Sequence, residues 1–500
     1  MASVVVIGAG IGGLAVASRL AAQGHAVRVF EASAKPGGKL AGYEHAGHVF
    51  DTGPSLLTLP AVYRDLFLKT AVRRKNASLE DNVGLVGLDP AFSYRWSDGT
   101  SVVLPGSNTN RVSAAFQDAL GGDAGSQWQA FSERGSHIWA ATRSSFLEKP
   151  IDGPRDLLRE MRRLNDLRTV APWKSLRSLG HDYLTDPRLQ MVLDRYATYS
   201  GSDPRRAPAA LAVIPFVEQT FGAWHIQGGV HRLSDAVYQR CLERNVRFDF
   251  ASPVQRIVLE QGHATGVELA SGQVVHADVV VSDADASSLY SHLLPPQVAR
   301  QSLRRLKRAT PSFSGFSLLL SLRGRGGVPA HHNVLLPTDY DAEFDALFSS
   351  APKPVLDPAI YICSPDDAAM RPDALHESWF VLVNAPRHDP QGGVDWTTEG
   401  FAENYAQQIL SCMAARGVDV RDRIVDRVVR TPADIERETH SPGGAIYGTS
   451  SNGARSAFLR PGNRSPVPGL YLVGGSAHPG GGLPLVGMSA AIVAELIGDA

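Results

Sequence analysis

Two glycine clusters lie at opposite ends of the 500-residue chain, and an acid stands 18 positions beyond the first of them. The first cluster is Gly8-Ala9-Gly10-Ile11-Gly12-Gly13, a GxGxxG turn, and the acid is Glu31. The spacing suits a dinucleotide. Gly8 permits a tight turn, Gly10 lets the backbone approach a pyrophosphate, Gly13 lets a helix pack close to a strand, and Glu31 can accept both hydroxyl hydrogens of an adenosine ribose. The elements that must position these residues are legible on either side. Ser3 to Ile7 is a β-branched run suited to a strand buried on both faces, Leu14 to Gln23 is helical and stops at Gly24, and Ala26 to Phe30 returns as a strand closed by Glu31. The helix N-terminus offers unpaired N–H groups to phosphates. At the other end, Gly469 to Gly475 reads as a strand entering a glycine turn, with a helix from about Leu485 to Ile497.

NAD and FAD share such a unit, so the discrimination comes from the residues after Glu31. These are Pro36-Gly37-Gly38-Lys39 and then Phe50-Asp51-Thr52-Gly53-Pro54-Ser55. An acid, a Pro-Gly-Gly-Lys turn and an aromatic-Asp-x-Gly-Pro segment together resemble the flavin amine oxidase superfamily, and within it the carotenoid (phytoene) desaturase family of FAD-dependent oxidoreductases. His478-Pro479-Gly480-Gly481-Gly482-Leu483-Pro484 resembles the closing signature of bacterial phytoene desaturases. Ser476 departs from it, standing where that family often has an acid. The resemblance implies FAD as cofactor. It implies cofactor contacts at Gly8, Gly10, Gly13, Glu31, Gly38, Lys39, Gly53, Pro54 and Ser55, at Val254 through its backbone, and at Gly475, Gly482, Pro484 and Met488. The expected fold is α/β, a Rossmann-like FAD-binding domain of the amine oxidase (GR2) type carrying an inserted α+β domain. The FAD domain is expected to be discontinuous, from 1–75, 215–290 and 440–500, leaving 76–214 and 291–439 for substrate and membrane contact.

Composition narrows the partners. Lys+Arg 49 against Asp+Glu 50 gives a formal charge of −1, which removes the bulk electrostatic reason to expect nucleic acid. Cys241, Cys363 and Cys412 are too far apart in sequence for a CxxC knuckle, and their number fits a reducing cytosol. There is no apolar run of about 18 residues and no basic n-region, so neither a spanning helix nor a signal peptide is expected. Arg155 to Arg177 reads as a basic amphipathic helix and Ala207 to Val217 as a second apolar element. Both suit docking on an anionic bilayer, or equally packing on their own domain. The expected location is cytoplasmic, peripheral on the inner face of the cell membrane. The oligomeric state is not legible.

Catalytic side chains are hard to find. No Ser-His-Asp spacing, paired-carboxylate motif or Walker turn occurs, so the hard chemistry belongs to the cofactor. Adjacent His331 and His332 should point apart on a strand, and no metal is assigned. The Asp98-Gly99 hairpin carries Phe92, Tyr94 and Trp96, which face either a pocket or, more simply, the core. The resemblance implies that a long polyene gives a hydride to flavin N5 and a proton from the neighbouring carbon, forming a new conjugated double bond. Tyr361–Cys363 and Asn384–Pro386 look closer to late-pathway enzymes such as 1-hydroxycarotenoid 3,4-desaturases than to phytoene desaturase proper. Asp51, His478 or no side chain at all are the candidates for the base. Gly324–Gly327 lacks the strand and acid of a second dinucleotide site, which leaves oxygen or a quinone as acceptor. The alternatives are a carotene cis–trans isomerase using reduced flavin, an amine or protoporphyrinogen oxidase, and a flavoprotein that binds without turnover.

Overall fold

The β-branched run Ser3–Ile7 forms the central strand of a five-stranded parallel sheet in the computed structural model, which describes residues 1–72, 76–151, 164–453 and 456–500. The order across that sheet is Leu470–Leu472, Val279–Ser282, Ser3–Ile7, Ala26–Phe30 and Arg247–Asp249. Segments far apart in sequence are therefore joined edge to edge. Alternation along a strand sends Val4 and Val6 to one face, against helices Ile11–Ala22, Arg232–Glu243 and Leu483–Ile497. Val5 and Ile7 go to the other, against a three-stranded antiparallel sheet built from Val254–Glu260, His263–Leu269 and Val274–His276. With both faces covered, an uninterrupted Val/Ile run is what the strand requires.

A seven-stranded sheet makes the second body, ordered Ile424–Arg430, Ser314–Arg323, His376–Ala385, Ile360–Cys363, His332–Leu335, Phe92–Arg95 and Ser101–Leu104. All its pairings are antiparallel except His332–Leu335 with Phe92–Arg95. One face packs on helix Phe401–Ala415 through Leu318, Leu320 and Leu322; the other meets the helical segments between residues 109 and 221.

The sequence expectations fare unevenly here. The first helix begins at Ile11 and the last at Leu483, each a few residues earlier than the apolar periodicity suggests, because glycine or proline opens both. The Asp98-Gly99 hairpin forms, and Phe92, Tyr94 and Trp96 are core residues. The basic helix from Arg155 to Arg177 is partly outside the described residues, and its described part is not one helix. Helix Leu164–Val170 ends before Pro172, and a separate helix spans Leu176–Gly180. There Arg177 is paired with Asp194 at 2.8 Å and Asp341 at 2.6 Å, so its charge serves the fold. Of Ala207 to Val217, Ala207, Ala209 and Ala212 are core, while the partly exposed Leu211, Val213 and Ile214 line a cavity together with Val217.

Candidate active site

Gly8, Glu31, Asp283 and Gly474 follow the carboxyl ends of four strands of the parallel sheet, the place where open α/β sheets bind ligands. The first three border a cavity of about 1610 Å³, as does Gly475 beside Gly474. That exceeds the roughly 300–1,000 Å³ of an ordinary small-molecule pocket and leaves room for a dinucleotide and a second, long ligand. Gly8, Gly10, Glu31, Gly38, Lys39, Gly53, Pro54, Ser55, Val254, Gly475, Gly482, Pro484 and Met488 all line it. Gly13 does not. A methyl group at Gly13 would collide with the Gly8 carbonyl oxygen, so its part is the close helix–strand contact.

The residues fit a bound dinucleotide on several counts. Glu31 already lies on the glycine turn, accepting from the Ala9 N–H at 2.7 Å and from the Ser33 N–H and hydroxyl at 2.8 Å. Gly10 and Gly482 cap the first and last helices with no side-chain hydrogen bond, leaving first-turn N–H groups to a ligand. Two half-buried cations line the wall. Lys39 donates to the Ala445 carbonyl at 2.9 Å, and Arg460 donates to the carbonyls of Gly475 at 2.7 Å and Tyr447 at 3.2 Å. Neither has a salt-bridge partner among the described residues, and burial lowers both, Arg460 to about 10. A partly buried, unpaired cation is costly, and an anionic ligand relieves it. Asp285 Oδ2 is buried without a partner beside them and can accept from a ligand hydroxyl.

Sequence reasoning missed Asp283. Its carboxylate accepts from the Gly13 N–H and lies where a side chain on Gly10, Gly12 or Gly474 would have to go. Burial raises it to about 7. The available signal was an acid directly after the strand Val279–Ser282. Nothing in the local sequence marked Arg460.

Away from the glycines one stretch of the wall is apolar, with Trp139, Phe146, Leu147, Leu211, Ile214 and Val217, while Asn384, Arg430, Glu436 and Arg437 line another. A polar cluster interrupts the apolar stretch. Arg195 lies over the rings of Tyr199 and Tyr361, at 5.6 and 5.9 Å. Glu218 accepts from the hydroxyls of Tyr196 at 2.6 Å and Tyr199 at 3.2 Å, and burial raises it to about 7. Tyr361 and Ser55 share a 2.8 Å hydrogen bond. Arg195 and Glu218 come from a stretch with no motif spacing, which is why sequence alone passed over them.

Asp51 lies outside the large cavity, with its oxygens accepting from the N–H groups of Val230 and His231 at 2.9 Å and facing His231 Nδ1 at 2.8 Å. His478 does line the cavity, but its Nε2 lies 3.0 and 2.9 Å from the carbonyls of Phe146 and Lys149, which requires it to carry the hydrogen, and burial lowers it to about 4. His331 and His332 do not point apart: their ring centroids are 4.6 Å apart, because His331 precedes the strand that His332 opens.

A family model described as flavin containing amine oxidoreductase matches residues 11–497. A 4,4'-diapolycopene oxygenase from Methylomonas sp is 32% identical, over 99% of this chain and 97% of that protein. A 1-hydroxycarotenoid 3,4-desaturase from Flavobacterium sp. (strain P99-3) is also 32% identical, over 99% of both chains. Among solved structures, wild-type putrescine oxidase bound to putrescine shares the fold with a TM-score of 0.63 at 15% identity, over 99% of this chain and 98% of that one. FAD is the cofactor of the protein. The match spans nearly the whole chain, and the protein belongs to the flavin-containing amine oxidoreductase family.

Proposed function

We propose that the protein is an FAD-dependent carotenoid desaturase that introduces a conjugated double bond into a long polyene, of the late-pathway type that takes a hydroxylated substrate. One observation carries this reading: a single cavity runs from the glycine turns and Glu31 to an apolar wall, so nucleotide and hydrocarbon share one space. The carotenoid-acting relatives support it. A polyene has almost no hydrogen-bonding groups, so its binding rests on apolar area, at roughly 25 cal/mol per Å². When bound, FAD supplies the two-electron acceptor for the hydride. The chain does the rest. Trp139, Phe146 and Leu211 hold the hydrocarbon and exclude water, and Glu218 takes the proton from the carbon beside the one that loses the hydride. At about 7, Glu218 is half ionised near neutral pH and can later return the proton to solvent. Arg195 and Tyr199, in the same group, can hydrogen-bond a hydroxyl near the reacting carbons, which favours the hydroxylated substrate.

An amine oxidase needs a cation-accepting aromatic cage, and here Arg195 occupies the space between Tyr199 and Tyr361. A second positive charge would be repelled. In the same reading the cofactor domain draws on 1–75, 215–290 and 440–500. The acceptor is oxygen or a quinone, and the protein works peripherally on the inner face of the cell membrane. Among the described residues no helix is long and apolar enough to cross a membrane. Trp173, 66% exposed next to cavity-lining Pro172, suits entry of substrate from a bilayer.

The test is expression in bacteria that accumulate phytoene, neurosporene or 1-hydroxylated carotenoids. A longer-wavelength product with consumption of acceptor is expected for the hydroxylated substrate. Product of unchanged chromophore length without acceptor use would instead indicate an isomerase, and no change with any carotenoid would refute the reading.

A further inference from the structure

Three imidazoles and a thiol converge behind Tyr361, outside the cavity. His332 and Cys363 are register partners on the antiparallel strands His332–Leu335 and Ile360–Cys363, which brings their side chains together. One ligand-capable atom from each of His331, His332 and Cys363 lies within 4.8 Å of the other two. His225, on the strand Trp224–Ile226, has its ring centroid 4.8 Å from that of His331.

The hydrogen bonding of these rings is incomplete in a particular way. His225 Nε2 lies 2.9 Å from Asp367 Oδ2, and its Nδ1 is buried without a partner. His332 Nδ1 lies 2.7 Å from the Tyr361 hydroxyl, and its Nε2 is buried without a partner. His331 Nε2 is also buried and unpartnered. His225 is 6% exposed and His332 fully buried. Three orphaned nitrogens in one place need an explanation, since buried polar groups are almost always satisfied. Imidazoles anchored at one nitrogen by a carboxylate or hydroxyl, with the other lone pair free, are arranged as metal ligands are.

We propose that His225, His331, His332 and Cys363 bind a single borderline transition-metal ion of the Zn²⁺ class in an N₃S site. Metal–nitrogen and metal–sulfur bonds of about 2.0–2.3 Å set tetrahedral donors roughly 3.4–3.7 Å apart, so the spread of His331, His332 and Cys363 closes by about an ångström and the His225 ring turns in from beside His331. On binding, the Cys363 thiol gives its proton to solvent and its sulfur bonds the ion, with no change of oxidation state. The ion would tie three strands together and fix Tyr361, and through it Ser55, on the cavity wall. This assignment does not depend on which substrate the cavity takes.

The experiment uses untagged, flavin-loaded protein stripped with a chelator and titrated with Co²⁺. One equivalent should bind with tetrahedral d–d bands and a thiolate-to-cobalt charge-transfer band, and Zn²⁺ should bleach both. Cys363→Ser should keep the d–d bands and lose the charge-transfer band. Asp367→Asn, which alters the outer partner of His225 and keeps an oxygen for the Gly228 and Ala369 N–H groups that Asp367 also accepts from, should weaken binding by about 10–100-fold. Retained flavin reports that each variant is folded, and should Cys363→Ser not fold, the wild-type spectrum and Asp367→Asn decide. If the wild-type protein takes up no stoichiometric Co²⁺, or if its bound cobalt shows no thiolate band, the proposal is wrong and the orphaned nitrogens belong to a buried water.

Discussion

At the end of the cavity beside the parallel sheet, glycines line the wall together with the charged side chains of Glu31, Lys39 and Asp283, and shape is set in part by the absence of side chains at Gly8, Gly10 and Gly475. At the other end the wall is made of Trp139, Leu211, Ile214 and Val217, with Arg195 and Glu218 set among them. The first region tolerates no added atom where backbone meets backbone, and the second should accept changes of size at graded cost. Backbone contacts therefore behave as a threshold and side-chain contacts as a scale.

Gly13→Val tests the threshold most severely. The new side chain collides with the Gly8 carbonyl, so the purified protein should be colourless and free of flavin, checked by its visible spectrum. Glu218→Gln should leave flavin loading intact and lower polyene turnover by about 10²–10⁴-fold. Turnover of the wild-type enzyme should rise with pH through about 7 as Glu218 ionises, and the variant should lose that step. Glu31→Gln removes a charged acceptor, and titration of the apoprotein should show FAD affinity about 10–100-fold weaker. Ile214→Ala should weaken polyene binding only about 5–20-fold, read as a rise in KM, because it removes a few methylene equivalents of apolar contact.

The smallest effect is on stability. Burial raises Glu218 and Asp283 to about 7 and Asp194 to about 6, so the folded protein holds protons that the unfolded chain has released. Their contribution is full below the usual carboxylate range and is lost as pH rises through about 6–7. The flavin-free protein should melt about 2–4 °C lower at pH 8 than at pH 5.5 on their account, with part of the drop absent in Glu218→Gln.

The same contrast governs what is legible in the sequence. The glycine turns announce themselves because a backbone requirement leaves few residue choices at fixed spacing, and Glu31 follows from the length of one helix and one strand. Arg195 meets Tyr361 only after residues more than 140 positions apart are folded together, and no local periodicity encodes that meeting. The expectation for the two histidines fails for a smaller reason: His331 lies one residue before its strand, so the alternation rule does not apply to it. The short strand Leu470–Leu472 is legible as a strand, but its place beside Val279–Ser282 is a property of the sheet.

Asp283, lodged between the turn after Ile7 and the turn after Leu472, bears on how the protein is made. A ribosome must pass residue 474 before that carboxylate has both of its walls, so a nascent chain short of that point holds an incomplete cradle. Acquisition of the yellow colour should thus wait for residue 474, and should mark those molecules whose two glycine turns have met.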